Sequence, residues 1–266
     1  MTQPVKPSIA ATLVLLRDRT TAEVEALLLQ RHAKSKFAAG DYVFAGGKIE
    51  ADDMPPDGES FCRGLTAAQA AARLGGGLAP RDALACWVGA IREAFEEVGV
   101  LLAYEADGGL LRIRPTAKPR YEAYRAACQK ANPAFFDMLR AENLTLATDR
   151  LAYFAHWITP EEQPLRFDTR FFAAVMPPEQ EPVVDGHEIV DLKWLTPAEA
   201  TSASQRKEIS LRFPTIKNLE LVAGGGALAA AVVESLGRRD VETIRPRVLQ
   251  VDGKPLAVLP GDPRWY

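Results

Sequence analysis

"AIREAFEEVGV" spans residues 90–100, and its pattern decides how the chain is read. Glu93, Glu96 and Glu97 crowd like charges towards the end of a helical pattern that Gly99 closes. With Glu93 at zero on a helical wheel, Glu96 and Glu97 fall within roughly 60° of it. Leu84, Trp87, Val88, Ile91, Phe95 and Val98 fall on the opposite half. The spacing predicts a helix from about Asp82 to Gly99 with an apolar face, a carboxylate face and a left-handed glycine at its end. Such a carboxylate face is unfavourable by itself. Like charges three and four residues apart repel by about 0.2–0.5 kcal/mol per pair. Carboxylates in the last turn also oppose the helix dipole, by about 0.3–1 kcal/mol each. A bound divalent cation reverses the sign of all these terms. The alternative is a solvated acidic face steadied by Arg92 or a distant lysine.

Upstream, "DYVFAGGKIE" (41–50) reads as a short strand ending in the pair Gly46 and Gly47, where backbone can approach a ligand closely. The apolar runs at 9–16 and 25–32 are strand-length, and the polar stretch between them predicts a hairpin. Residues 54–81 differ: prolines and glycines bracket an alanine-rich helix, "TAAQAAARL", with Thr66 as its cap. Helices are predicted near 119–130 and 133–142, the second starting with Asn132 as cap and Pro133 in the first turn. Strands are predicted at 151–158, 169–176 and 189–195, and "TPAEA" opens a short helix. A last helix covers about 214–236 across Gly224–Gly226, and a hairpin is centred on Asp252-Gly253. Strands interleaved with helices give an α/β layered class.

"GGKIEADD … REAFEEVGV" resembles the Nudix box, G-x5-E-x7-R-E-U-x-E-E-x-G-U. Arg92, Glu93, Ala94, Glu96, Glu97, Gly99 and Val100 supply the second half, with Ala94 small for its U position. Gly47 opens the first half, and Asp53 stands where the family usually has glutamate. Between Asp53 and Arg92 lie 38 residues rather than seven, an insertion of 31. This split box, with the later "RFDTRFF" (166–172), is similar to the branch of peroxisomal coenzyme A diphosphatases.

The resemblance implies an α/β/α sandwich with a mixed β-sheet, formed by one Nudix domain over 1–266 with insertions at about 54–81 and 115–145. It implies Mg²⁺ or Mn²⁺ held by Glu93, Glu96, Glu97 and the Gly47 carbonyl. Arg92 would be structural, and Asp53 a candidate partner for it. The implied activity is hydrolysis of a nucleoside diphosphate linked to another moiety. Coenzyme A or an acyl-CoA, giving 3′,5′-ADP and 4′-phosphopantetheine, is preferred. ADP-ribose, NADH and nucleotide sugars are the alternatives, as is a domain that senses a nucleotide without cleaving it. The base is Glu93, Glu96 or a loop carboxylate, for which Glu188 is the candidate. Arg31, Lys36, Arg166 and Arg170, with Gly46 and Gly47, are the candidate substrate contacts. The 54–81 insertion, leaving the chain beside the metal loop, is a candidate wall or lid over the substrate, and the helical segment 119–142 a candidate for recognising the X group. Many relatives are dimers, so a homodimer is an expected assembly.

The rest of the chain narrows the class. Its 47% hydrophobic and 25% charged residues suit a globular protein, and a net charge of −3 disfavours a nucleic-acid or membrane-surface partner. Cys62, Cys86 and Cys128 are odd in number without a C-x-x-C pair, so buried, unreactive thiols and a reducing compartment are expected. His32, His156 and His187 show no metal-ligand spacing. No apolar run is long enough to span a bilayer. The N-terminal stretch has no signal-peptide core and "DPRWY" matches no targeting address, so a cytoplasmic protein acting on a small nucleotide is expected.

Overall fold

The apolar run near the N-terminus becomes the spine of the sheet. In the computed structural model, which describes residues 5–75, 77–251 and 254–265, strand β1 runs from Ser8 to Thr20. Its residues are buried on both faces: Ala11, Leu13 and Leu15 enter one core, Val14 and Leu16 the other. That is why the stretch reads as continuous apolar sequence rather than as an alternation. A tight turn at Thr21-Ala22 leads into β2 (Glu23–Arg31), which pairs antiparallel with β1. The expected hairpin is present. The polar "RDRT" belongs to the strand, not the loop, because this end of β1 projects into solvent.

Strands β3 (Tyr42–Val43) and β4 (Ala45–Lys48) follow, then the short α1 (Ala67–Arg73) and the long α2 (Pro80–Val98). Strand β5 (Ala103–Tyr104), helices α3 (Lys118–Cys128) and α4 (Pro133–Glu142), and β6 (Thr145–Leu146) form an annexe on the same side. Strands β7 (Ala152–Ile158), β8 (Phe167–Val175) and β9 (Ile189–Leu195) return to the main sheet. Helices α5 (Pro197–Gln205), α6 (Phe213–Ala223) and α7 (Ala229–Gly237) cover its other face. Strand β10 (Thr243–Ile244) adds an edge, and β11 (Arg247–Val251) and β12 (Lys254–Val258) make a separate ribbon.

The eight-stranded sheet runs β10-β7-β8-β1-β2-β3, with β4 also on β1 and β9 on β2. It is mixed: β8 is parallel to β1 and the hairpin partners are antiparallel. One core lies between the sheet and α2 with α4, the other between the sheet and α5–α7. This is the expected α/β/α sandwich. The sheet forks where the site will form. Strand β1 pairs with β2 from Leu16 onward but with β4 over Ala10–Leu13. The segment carrying β3 and β4 fills the gap between the diverging strands. It brings the glycine pair inside a strand, rather than leaving it at a strand's end as the sequence predicts.

Other differences are local. The last helix is two helices, α6 and α7, because Gly226 takes φ +135° and breaks the run. Asn132 holds helical backbone angles and makes no capping bond, so Pro133 alone marks that start. Thr66 does cap α1, in a reciprocal pair with Gln69. The Asp252-Gly253 turn lies outside the described residues. The excursion from 54 to 81 buries Leu65, Ala70 and Leu74 against the core of α2, and Phe61 meets Phe136 of α4 edge-on at 5.6 Å.

Candidate active site

Helix α2 starts with Pro80 in its first turn and ends at Gly99, φ +71°, whose N–H bonds the Phe95 and Ala94 carbonyls. The predicted apolar face is there: Leu84, Trp87, Val88, Ile91 and Val98 are fully buried. The carboxylate face is not solvated, however. Strand β4, the turn carrying Asp53, and α3 close around it, so Arg92 is 3% exposed and Glu97 4%. Two side chains from α3 tie down the helix end. Arg125 donates to the carbonyls of Glu96 (2.9 Å) and Glu97 (2.6 Å), and Gln129 donates to Glu96 (2.7 Å). A cation and an amide thus occupy the negative end of the dipole, where the acidic residues alone would be unfavourable.

The two halves of the split box meet through one ion pair. Arg92 Nε lies 2.5 Å from Asp53 Oδ1, and Nη2 lies 3.1 Å from Oδ2. Asp53 is itself 1% exposed and accepts a further bond from the Glu50 N–H at 2.8 Å. The remaining Arg92 donors go to Glu96 (2.8 Å), Glu93 (3.0 Å) and the Lys48 carbonyl (3.1 Å). Asp53 is thus the partner of Arg92. The shorter acid fits because Gly89 lets the loop approach α2: a Cβ there would meet Ile49 at 2.5 Å and Asp53 at 3.2 Å.

The three helix glutamates share one partly closed space. Burial pushes the Glu93 carboxyl up to about 7, against the pull of Arg92. Burial also raises Glu96, with Arg92 again opposing. Glu97 is held well above the carboxylate range by burial and by the charges of Glu93 and Glu188. The Gly46 N–H donates to Glu97 Oε2 at 3.0 Å, so this amide faces α2, away from β1. Ile49 N–H bonds the Ile9 carbonyl, which fixes the alternation of the β1–β4 ladder. Gly47, opposite Ala11, therefore turns its backbone groups to β1, and Gly46, opposite Thr12, turns its own outward. The resemblance implies the Gly47 carbonyl as a ligand, but the ladder presents that of Gly46. Gly47 serves differently: a Cβ on it would overlap the Glu93 carboxylate.

Among the described residues, no three acidic, histidine or cysteine side chains already close on one point as a finished metal cage. The donor set nonetheless suits a hard cation. Glu96 Oε1 is buried without a hydrogen-bond partner, and burial drives the carboxyls of Glu93, Glu96 and Glu97 towards the neutral form, a penalty that a bound cation would offset.

A cleft of about 730 Å³ opens beside this cluster. Arg31, Lys36, Gly46, Gly47, Glu93 and Glu188 all line it, so sequence reasoning brought these six together. Arg31 joins two acids, with Glu188 at 2.5 Å and Glu97 at 3.9 Å. Arg166 and Arg170 are not at the cleft. Arg166 spends its donors on the carbonyls of Val5 and Thr159. Arg170 is 4% exposed and pairs with Asp168, which in turn meets His156 at 2.5 Å. Strand parity explains the exchange: in β8 it is Phe167, Thr169 and Phe171 that face the cleft. Also unforeseen were Phe37, Trp157, Pro214 and Pro246 in its walls, and Arg212, whose guanidinium lies 4.5 Å from the Phe37 ring centre. Only Trp157 of these lies on a strand; the others come from loops and the start of α6 that the fold brings together, so no local signal marked them. Among the described residues none of 54–81 or 119–142 lines the cleft, so neither insertion is seen to cover it. The thiols of Cys62, Cys86 and Cys128 are unpaired and pushed up to about 12 by burial, as expected of inert cysteines.

A mixed sheet between helical layers, with a glycine strand pressed on an acidic helix, defines the Nudix class. A solved NUDIX hydrolase from Alicyclobacillus acidocaldarius superposes with a TM-score of 0.70 at 26% identity, over 89% of this chain and 99% of that one. The chain belongs to the family described as the NUDT19 Nudix domain, which matches residues 62–222. It is 27% identical over 231 residues to the acyl-coenzyme A diphosphatase NUDT19 of Xenopus laevis, covering 76% of this chain and 60% of that protein. It is 29% identical over 273 residues to the Homo sapiens protein of the same name, covering 89% and 71%. The chain thus spans about three fifths of the frog relative's length.

Proposed function

We propose that this chain hydrolyses the diphosphate of coenzyme A or an acyl-CoA with Mg²⁺ or Mn²⁺, releasing 3′,5′-ADP and 4′-phosphopantetheine or its acyl form. The observation that carries the reading is the placing of Glu93 and Gly46 in the cleft wall, with Glu96 and Glu97 beside Glu93 on the same helix face and Glu97 bonded to the outward Gly46 N–H. The frog and human relatives are acyl-coenzyme A diphosphatases by name, which supports the substrate. Glu93, Glu96, Glu97 and the Gly46 carbonyl would hold the cation. When bound, it would supply charge neutralisation at the diphosphate oxygens and acidify an attacking water.

The chain's own residues do the rest. Lys36 and Lys48 line the cleft, and their ammonium groups make no ion pair or hydrogen bond among the described residues, so they are free to receive phosphate oxygens. Arg31 holds Glu188 beside the cluster, and a diphosphate competing for Arg31 releases that carboxylate. Two carboxylates at the cleft are then placed to take a proton: Glu93, in its wall, and Glu188, which is half exposed. Separate Glu93→Gln and Glu188→Gln variants assign the role.

The test is incubation of the chain with coenzyme A and either cation, with products separated and weighed by mass spectrometry. Cleavage of ADP-ribose, NADH or a nucleotide sugar in place of coenzyme A would overturn the substrate. Saturable binding without cleavage of any of them would make the domain a sensor. The proposal includes a cytoplasmic setting and a homodimer, the latter tested by light scattering on the eluted protein.

A further inference from the structure

The cleft is electrically two-ended. Its charged lining comes from residues 31–50, from Glu93, from Glu188 and from Arg212, which stacks on Phe37. The lining drawn from β8 and β7 carries no charge: Phe167, Thr169 and Phe171 of β8 and Trp157 of β7, followed by Leu165, Pro214 and Pro246, and Arg212 reaches no further than Phe37, which meets Phe167. The floor crosses the sheet in strand order, from β4 through β1, β8 and β7 to the edge beside β10. At about 4.8 Å per strand, β4 to β7 spans roughly 14 Å and β4 to β10 roughly 19 Å.

A substrate centred on a diphosphate at β4 has two unequal arms. Its adenosine arm, with a 3′-phosphate, is anionic and matches the lysine and arginine end. Its pantetheine arm is uncharged, with two amides along its length. Counted by bonds at the reach of extended polypeptide, that arm is about 14 Å long. It would therefore place its sulfur over β7. Midway, Thr12 of β1 and Thr169 of β8 present hydroxyls from adjacent strands, suited to the amides.

Resting on the coenzyme A reading above, we infer that the pantetheine arm lies across the sheet, and that an acyl chain on its sulfur is seated against Trp157, Leu165, Pro214 and Pro246. Pro246 follows β10 by two residues, and β10 is paired to β7 over His156 and Trp157, with Thr243 bonded to His156 at 2.8 Å. The segment after the last helix thus completes the acyl wall. Each methylene buried there raises affinity by up to about 4-fold.

Leu165 stands at the rim, 37% exposed, where substitution leaves the core intact. Calorimetric titration of coenzyme A and octanoyl-CoA, in the presence of chelator, reads the subsite without turnover. The parental chain is expected to bind octanoyl-CoA at least tenfold more tightly than coenzyme A. Leu165→Glu should remove most of that gain, and Leu165→Trp should shift the preference to shorter chains. Equal binding of both ligands by the parental chain, or a full gain surviving in Leu165→Glu, overturns the inference. Absence of diphosphate cleavage, measured separately, would sink the hydrolase reading and leave the binding result standing.

Discussion

Replacing Asp53 with alanine tests how the split box is held. Arg92 would keep Glu96, Glu93 and the Lys48 carbonyl but lose both carboxylate bonds of Asp53, at 2.5 and 3.1 Å. Fully orphaning a buried charge costs about 3–5 kcal/mol. Here the surviving partners soften the loss, and removing Asp53 also spares its own desolvation. Against that, the Glu50 N–H loses its acceptor. A charge-assisted bond contributes about 1.5–3 kcal/mol. The sum is roughly 3 kcal/mol, near a 150-fold change in the folding equilibrium. For a chain of this size that lowers the melting midpoint by about 6–12 °C. Urea unfolding of the metal-free protein measures it directly. Asp53→Glu, which restores the family's usual acid, should still lose about 1–3 kcal/mol, since the pocket under Gly89 has no room for another methylene. If Asp53→Ala unfolds within 1 kcal/mol of the parent, the pair does not hold the box together.

Stability of the metal-free protein should fall as pH rises. The folded Glu93 carboxyl keeps its proton up to about 7 instead of the ordinary 4.5, so its contribution is complete below about 4.5 and lost through 7. The loss is roughly 3 kcal/mol, and saturating Mn²⁺ should abolish the slope; a flat profile without metal refutes this account. Arg125→Met should weaken Mn²⁺ binding and cost about 1–3 kcal/mol of stability, because the Glu97 carbonyl loses its donor and that of Glu96 keeps only Gln129; unchanged Mn²⁺ titrations would show the helix end is fixed without it. Gly47→Ala should reduce turnover at least tenfold while leaving the fold intact, since its methyl displaces the Glu93 carboxylate; parental kcat would show that this close approach is dispensable.

The elements that periodicity and caps define were legible in the sequence. The core stripe of α2, its glycine stop and the strands at 152–158 and 189–195 fell where apolar spacing put them. What escaped depends on register, which one strand does not reveal about its neighbour. Whether Gly46 or Gly47 turns outward follows from a single bond between Ile49 and Ile9, distant in sequence. Arg166 and Arg170 drew attention by charge, yet strand parity gives the cleft to Phe167, Thr169 and Phe171. The cleft's far wall comes from segments near 157, 165, 214 and 246, which no local pattern links.

The Asp53–Arg92 clasp joins positions 39 residues apart. Lengthening the intervening chain from seven residues to 38 raises the entropy of closure by only about 1.5 kcal/mol. Leu65, Ala70 and Leu74 offset it by burying themselves on α2. Both ends of the excursion are pinned, and no described residue between them borders the cleft. The chain there is a port: descendants of this protein can gain or shed tens of residues, even a foreign module, while the chemistry a few ångströms away goes undisturbed.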